Sequence, residues 1–237
     1  MFSNEDALTK IPSQLAGDFF FLILNIKYCI LAGMVITHFG KQFFKVTFGD
    51  ITLAFNPISK DSKDGGKTKF GSTIVFSSVN HEDYNGIENA SHGDNVPFVV
   101  DGPGDYEVQD VFIKGVSSET EIDGKEYINT IYTLTLEDMN ICFLGALFNA
   151  DLTIEQKEII GNPDIVFVPV SDTLLSPAKA QKLATSLEPS IIIPMDYDKK
   201  SLGAFLKESG SENTKPVDKL TLKKKDLAGK QGEVVYF

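Results

Sequence analysis

The residues best equipped for chemistry sit just after an apolar run. Residues 73–76 read as a buried strand, and the chain leaves it through Ser77-Ser78-Val79-Asn80-His81-Glu82-Asp83-Tyr84-Asn85. His81 and Asp83 pair an imidazole with a carboxylate, donor types that hold zinc or a harder cation such as Mn²⁺ or Mg²⁺. A further carboxylate, Asp196, follows the apolar run Ile191-Ile192-Ile193-Pro194. Of the remaining histidines, His38 reads as a structural residue near the first strand, and His92 falls in a polar loop.

These groups need a framework, and the chain has the means to build one. It has 237 residues, 42% hydrophobic and 23% charged, ordinary values for a globular protein. A domain of this size buries enough apolar surface to stand without disulfide or metal staples. Cys29 and Cys142 lie in apolar surroundings without Cys-x-x-Cys spacing and read as buried thiols in a reducing compartment, the cytoplasm. The net charge is −11 and the chain contains no arginine. Without that planar fork for phosphates and guanine edges, nucleic acid is not expected as a partner. Lys223-Lys224-Lys225 reads as the solvated end of an edge strand, and Glu119, Glu121 and Asp123 as a solvated face of a hairpin-like loop.

Residues 34–39 open a clean strand pattern. Strand-like runs 42–47 and 51–55 follow, joined by Phe48-Gly49-Asp50, a hairpin signal. Residues 59–69 form a polar loop. Further strands are expected at 98–100 and 111–116, with a hairpin of 130–136 and 140–144. The second half alternates. Thr153 and Gln156 have capping-box spacing, Ser176-Pro177 opens a helix to Leu187, and 201–208 reads as another helix. Buried strands at 165–170 and 191–194 separate them. Hairpins followed by helix–strand alternation point to an α/β layered sandwich covered on both outer faces. The apolar terminus Val234-Val235-Tyr236-Phe237 pairs with a strand of its own chain or with a neighbouring subunit of a homo-oligomer.

With the strands in place, the region from Met34 to about Val235 resembles the metallo-β-lactamase superfamily, in its ascorbate-6-phosphate lactonase-like branch. Four segments carry the likeness: the 78–85 loop, Gly102-Pro103-Gly104-Asp105-Tyr106-Glu107, Asn129-Thr130-Ile131-Tyr132, and Pro194-Met195-Asp196-Tyr197. The resemblance implies a four-layer αββα sandwich and a zinc-dependent hydrolase. It also implies a Thr-His-x-His-x-Asp-His signature, in which Ser78 takes the Thr position and His81 and Asp83 match ligands. Val79 and Tyr84 stand where the other two histidines belong. Asp196 replaces a terminal histidine, and Gly145-Ala146 stands where a bridging Gly-Asp belongs. If a metal binds, the resemblance makes His81, Asp83 and Asp196 its candidate ligands, and Asp105 or Glu107 would add a carboxylate. It makes Asp83 and Tyr84 the candidate catalytic residues, with Tyr84 and Tyr197 as donors to an oxyanion. Ser78, Val79, Asn80, Glu107, Ala146 and Tyr197 complete the cleft it implies. Plain packing is the competing reading for Val79 and Tyr84. Zinc needs three protein ligands and an open position for catalysis, and the remaining set divides into smaller groups.

The resulting expectation is a hydrolase-like protein with a degenerate metal centre and weak or absent activity. No cofactor is expected, and zinc or Mn²⁺ are the metals to test. A single-metal hydrolase of a lactone or phosphoester is one alternative. A binding or scaffold protein, with a small molecule or protein as its partner, is the other. No Gly-x-Ser-x-Gly elbow, P-loop or dinucleotide fingerprint is present, and Asn89-Ala90-Ser91 fits a glycosylation sequon.

Residues 1–33 differ from the rest. Their apolar stretch from Phe19 is interrupted by Asn25 and Lys27 and falls short of the roughly 20 residues that span a bilayer. No basic segment precedes it, as a signal peptide requires. The domain is therefore expected to be 34–237, with 1–33 an extension and Met34 the natural start. Deleting residues 1–33 is expected to leave solubility and melting temperature unchanged, as a thermal melt of the shortened chain would check.

Overall fold

Alternation builds the first sheet. In β1 (Met34–His38) Met34 and Ile36 are buried, and in β2 (Phe44–Phe48) Phe44 and Val46 are, the period of two that sends one face of a strand into a core. Gly49 and Asp50 then turn the chain into β3 (Ile51–Phe55), with Phe48 opposite Ile51. β4 (Ile74–Phe76) and β5 (Phe98–Val100) continue the sheet in parallel, and β12 (Leu220–Leu222) closes its other edge against β1. The computed structural model describes residues 33–65, 68–94 and 96–237, and the expectations for residues 1–32, Cys29 included, lie outside them.

The second sheet begins antiparallel with β6 (Gly104–Val108), β7 (Val111–Ile122), β8 (Lys125–Leu136) and β9 (Met139–Phe143). It continues in parallel through β10 (Ile165–Pro169), β11 (Ile191–Met195) and β13 (Glu233–Val234). The spatial orders are β12-β1-β2-β3-β4-β5 and β13-β11-β10-β9-β8-β7-β6. The helices α1 (Ile154–Ile160), α2 (Pro177–Ser186) and α3 (Lys199–Glu208) connect the later strands. None of the described helices is long and apolar enough to cross a membrane.

Runs such as Ile165-Val166-Phe167-Val168 are apolar throughout because they are buried on both faces. Ile165 and Phe167 join the core between the sheets, while Val166 and Val168 pack under the helices with Leu183, Ala184 and Phe205. Phe55 is the centre of the inner core, stacked at 4.5 Å on Phe76 and 4.8 Å on Phe143. Cys142 faces the helix side, fully buried, and burial pushes its thiol pKa upward. The outer face of the first sheet is covered by the loop after β3 and a short 3-10 turn, Ile87–Asn89, around Phe43, Ala54 and Val75.

The capping box at Thr153 and Gln156 forms as its spacing predicts. α3 starts earlier than expected, at Lys199, because Asp198 caps it and Ser201 closes that capping box. The largest difference is the hairpin of β7 and β8, whose arms were expected to end at Val116 and begin at Thr130. Both run on to Asp123-Gly124, where φ values of 51° and 75° make a tight two-residue turn. Glu119 and Glu121 are thus exposed strand residues rather than loop residues. The segment 104–108, to which the sequence analysis assigned no strand, is an edge strand. Lys224 leaves β12 in a 3-10 turn and pairs with Asp164 at 2.7 Å. The C-terminus pairs within the chain, through β13 on β11.

One buried hydroxyl ties the two sheets together where the motif loop departs. Tyr132 Oη on β8 lies 3.0 Å from the carbonyl of Ser77 and 3.1 Å from that of Val100. Tyr132→Phe keeps the ring but removes the donor, and is expected to cost about 1–2 kcal/mol, measured by urea denaturation.

Candidate functional site

Four loops leave the carboxyl ends of parallel strands at one end of the sandwich: after β4, β9, β10 and β11. This is where layered α/β proteins gather their sites. The loop after β4 is held first by its backbone. Asn56, in a left-handed conformation (φ 42°), accepts the Ser78 N–H through Oδ1 at 2.8 Å and donates Nδ2 to Ser78 Oγ at 2.7 Å. The Ser78 carbonyl accepts from Thr130 N, and Val79 forms an isolated bridge with Asn129. Asn129 then reaches the loop after β9, accepting Ala146 N at 2.8 Å and donating to the Leu144 carbonyl at 3.0 Å. Gly145, between them, has φ +61°, and a Cβ there would meet Asn129 Oδ1 at 2.3 Å and Ser78 Oγ at 2.7 Å. Only glycine fits this approach.

This bracing brings together the positions that the sequence singles out. Val79, Tyr84 and Ala146 form one buried cluster with Leu174 from the loop after β10, against which Ile122 and Tyr127 pack. The Tyr84 ring is 4% exposed and its Oη donates to Asp196 Oδ2 at 2.7 Å. Gln42 donates to the same oxygen at 3.0 Å, and Asn56 donates to Gln42 Oε1 at 2.8 Å. Ser78, Asn56, Gln42, Asp196 and Tyr84 are thus one continuous hydrogen-bonded chain. Burial, reinforced by Asp196, pushes the Tyr84 pKa upward, so its phenol stays protonated and acts as a fixed donor.

Asp83 belongs to a second group. Its Oδ2 accepts from Lys41 Nζ at 2.8 Å, its Oδ1 accepts from Ser62 Oγ, and Lys41 also pairs with Asp64 at 2.9 Å. Burial alone would raise the Asp83 carboxyl, but the Lys41 and Ser62 hydrogen bonds outweigh it and hold it below its usual 3.8. Burial would likewise lower the Lys41 ammonium, and Asp83 and Asp64 reverse this and push it upward. The Lys41 carbonyl accepts both Asp196 N and His38 Nε2, each at 3.0 Å. His38 is accordingly structural, stacked 4.4 Å from Phe44, and burial lowers its pKa so that it stays neutral. His81 Nδ1 lies 3.2 Å from the Asp83 backbone N–H.

Asn80, Asn85, His81 and Tyr127 line an open hollow of 480 Å³ above this cluster, together with Asp61, Glu82, Asp123 and Lys125. Other candidates do not join it. Tyr197 Oη donates to the Phe237 carbonyl at 2.6 Å, so it anchors the C-terminus instead of serving an oxyanion. Glu107 and Asp105 lie exposed on edge strand β6, with no hydrogen bond or ion pair to the Asp83–Asp196 group. His92 is exposed, and Asn89 of the sequon is buried with its amide on the Ile58 carbonyl. Among the described residues no three His, Cys, Asp or Glu side chains are grouped so as to hold a metal ion. Of the His81–Asp83–Asp196 set, one carboxylate is engaged by Lys41, the other by Tyr84 and Gln42. Lys41, Gln42, Asn56 and Ser62 escaped the sequence reading. Gln42 was expected to open a strand, and its one clue is a polar amide between apolar neighbours.

Two mixed sheets packed face to face, helices over the second, and a loop-end site define a metallo-β-lactamase-type sandwich. The family model described as Beta-lactamase superfamily domain matches residues 35–196, and the chain belongs to that superfamily. A candidate Zn-dependent hydrolase of the metallo-beta-lactamase superfamily from Thermotoga maritima is 29% identical with TM-score 0.66, over 86% of this chain and 98% of its own. A metallo hydrolase of Ignicoccus hospitalis is similar in fold at 16% identity, with TM-score 0.58 over 81% and 99% of the two chains. So is a candidate metal-dependent hydrolase of Parabacteroides distasonis, at 17% identity and TM-score 0.59 over 74% and 87%. A comparison with curated proteins returned no match.

The polar loop is pinned by Asp83 on one side and by Glu88 on the other, where Glu88 accepts from Ser59 Oγ and Lys60 N at 2.9 and 3.0 Å. Both carboxyls are held below their usual values of 3.8 and 4.5. A lowered folded-state pKa stabilises above the unfolded value and loses that contribution as pH falls through the folded one. The loop attachment is therefore complete at neutral pH and lost on acidification below about pH 4. Amide exchange at residues 59–64 is expected to accelerate over that range ahead of the strands, as hydrogen-exchange mass spectrometry would read.

Proposed function

We propose that this superfamily member has no hydrolytic metal centre and uses the sandwich as a binding scaffold, with the hollow above His81 as its ligand site. The reading rests on one observation: the apolar cluster of Val79, Tyr84, Ala146 and Leu174 fills the space at the loop ends. The loops that the superfamily resemblance assigns to metals are thus closed by packing. Metal-assisted hydrolysis needs an open coordination position and an activated water. Here Asp83 is paired with Lys41 and Asp196 is hydrogen-bonded by Tyr84 and Gln42, and two of the nearby groups that could move a proton are held as donors. Lys41 remains an ammonium and Tyr84 a phenol, so neither is a general base at neutral pH.

The hollow itself remains open to solvent and offers hydrogen-bonding groups of both signs, from Asp61, Glu82 and Asp123 to Lys125 and the His81 imidazole. Such a surface suits a small polar molecule. The single-metal alternative through His81, Asp83 and Asp196 would require Lys41 and Tyr84 both to withdraw. The absence of arginine and the charge of −11 support a ligand other than nucleic acid, and the buried thiol of Cys142 is compatible with a reducing compartment.

Elemental mass spectrometry of the untagged protein is expected to find no stoichiometric zinc or manganese, and incubation with either should leave lactone and phosphodiester hydrolysis at background. About one equivalent of metal, lost on His81→Ala/Asp83→Ala substitution, together with metal-dependent turnover, would overturn the proposal. Ligand binding at the hollow is expected as a rise in melting temperature without turnover.

A further inference from the structure

The edge strand β6 covers only part of its neighbour. It pairs with residues 111–115 of β7, and the pairing ends at Gly104 opposite Gly115. There the chain crosses over from the first sheet: a Cβ on Gly115 would meet the Gly102 carbonyl oxygen at 3.1 Å and Pro103 Cα at 3.2 Å. Beyond that crossing, residues 116–122 of β7 pair with β8 on one side and, among the described residues, with no strand on the other. The Ser117 carbonyl points off this edge, since it accepts from Gln156 Nε2 at 2.9 Å. Antiparallel pairing alternates inward and outward backbone groups. Glu119 and Glu121 therefore also turn their N–H and C=O groups outward, where no backbone partner among the described residues meets them.

The side chains along that edge decide what fits it. Glu119 stands opposite Ile128 and Glu121 opposite Glu126, all on one face of the ribbon. Like charges directly opposite each other are destabilising, so this face favours a neighbour of positive charge. Ile128 is 67% exposed and Phe148 46%, and both line a hollow of about 400 Å³ with the three glutamates. Thr120, in the same wall, is buried and its hydroxyl has no hydrogen-bond partner, a defect that an occupant can relieve. A second copy of the chain is a poor occupant. Antiparallel self-pairing centred on Thr120 would set Glu119 against Glu121 of the other copy. We propose that residues 117–122 of β7 are a docking edge for an extended, basic segment of a partner protein, which joins the sheet as a strand in line with β6. Its backbone meets the outward groups of Glu119 and Glu121, its lysine or arginine side chains meet the glutamates, and its apolar residues cover Ile128 and Phe148. The charges that keep copies of this chain apart thus recruit a strand of opposite charge.

Fluorescence anisotropy of the full chain with a short labelled peptide of alternating lysine and valine tests this. Saturable binding is expected, weakened about tenfold or more by Glu119→Gln/Glu121→Gln and by N-methylation of the probe's backbone amides. N-methylation keeps the charge of the probe and removes its backbone donors. A glutamate–valine probe should not bind, and the Glu119 and Glu121 amides should exchange more slowly once the lysine–valine probe is added. Absence of binding by the lysine–valine probe would overturn the inference. So would equal binding of the N-methylated probe, which would reveal charge attraction without strand pairing. That comparison uses the wild-type chain and stands even where a substitution harms folding. Glu121→Pro removes an outward N–H and no bond to β8. Wild-type dimers in sedimentation equilibrium that this substitution dissolves would assign the edge to a second copy and overturn the proposal as well.

Discussion

Carboxylates drawn out of water must be met by opposite charge or by hydrogen-bond donors, since an uncompensated buried charge is among the costliest defects a protein can carry. The loop end of this sandwich is organised by that constraint. Asp83 is met by Lys41 and Ser62, and Asp196 by Tyr84 and Gln42. Because Lys41 also lends its carbonyl to Asp196 N and to His38, the two groups share one residue. The turn before β2, the loop after β3, the motif loop and the end of β11 all converge on it.

Around this polar centre the apolar contacts serve a different purpose. The Phe55 stack and the inner faces of both sheets supply the bulk of the burial, and any chain with this alternation would have them. The cluster of Val79, Tyr84, Ala146 and Leu174 is more particular, since its members come from loops rather than strands. Loops bury side chains only where their own polar groups find partners. Asn56 and Asn129 supply those partners, each bonding backbone and side-chain atoms across the gap between elements. The close approach at Gly145 is the geometric result. Packing and hydrogen bonding are here interdependent: without the asparagine braces the apolar cluster would have no walls, and without the cluster Tyr84 would not reach Asp196.

Much of the fold was legible residue by residue. Alternation in β1 and β3, the doubly buried runs of β10 and β11, and the capping box of α1 are local patterns with local causes. Where the reading fell short, the causes are also local. The Asp123-Gly124 dipeptide marks the true end of the long hairpin, and polar exposed residues such as Glu119 and Glu121 concealed the strand because only one of its faces is covered. Asp198, not Ser201, begins α3, because either residue can play the capping part and only their mutual geometry distinguishes them. Tyr197 looked like a site residue by adjacency to Asp196. On consecutive residues leaving a strand, side chains diverge, and its hydroxyl went to the C-terminus.

By itself the sequence determined the layered α/β class, most of its strands and helices, and the residue types of the loop that follows β4. Those are matters of periodicity and residue identity, which neighbours along the chain suffice to express. Tertiary structure alone decided what fills the loop end of the sandwich. Lys41 reaches Asp83 across 42 positions of sequence, and Tyr84 reaches Asp196 across 112. No periodicity relates such pairs. Their pairing follows from which strands lie side by side and from how closely Gly145 lets the loops approach. A lysine in a turn and a tyrosine in a loop have many equivalent fates on paper. Only the folded backbone places one ammonium between two carboxylates.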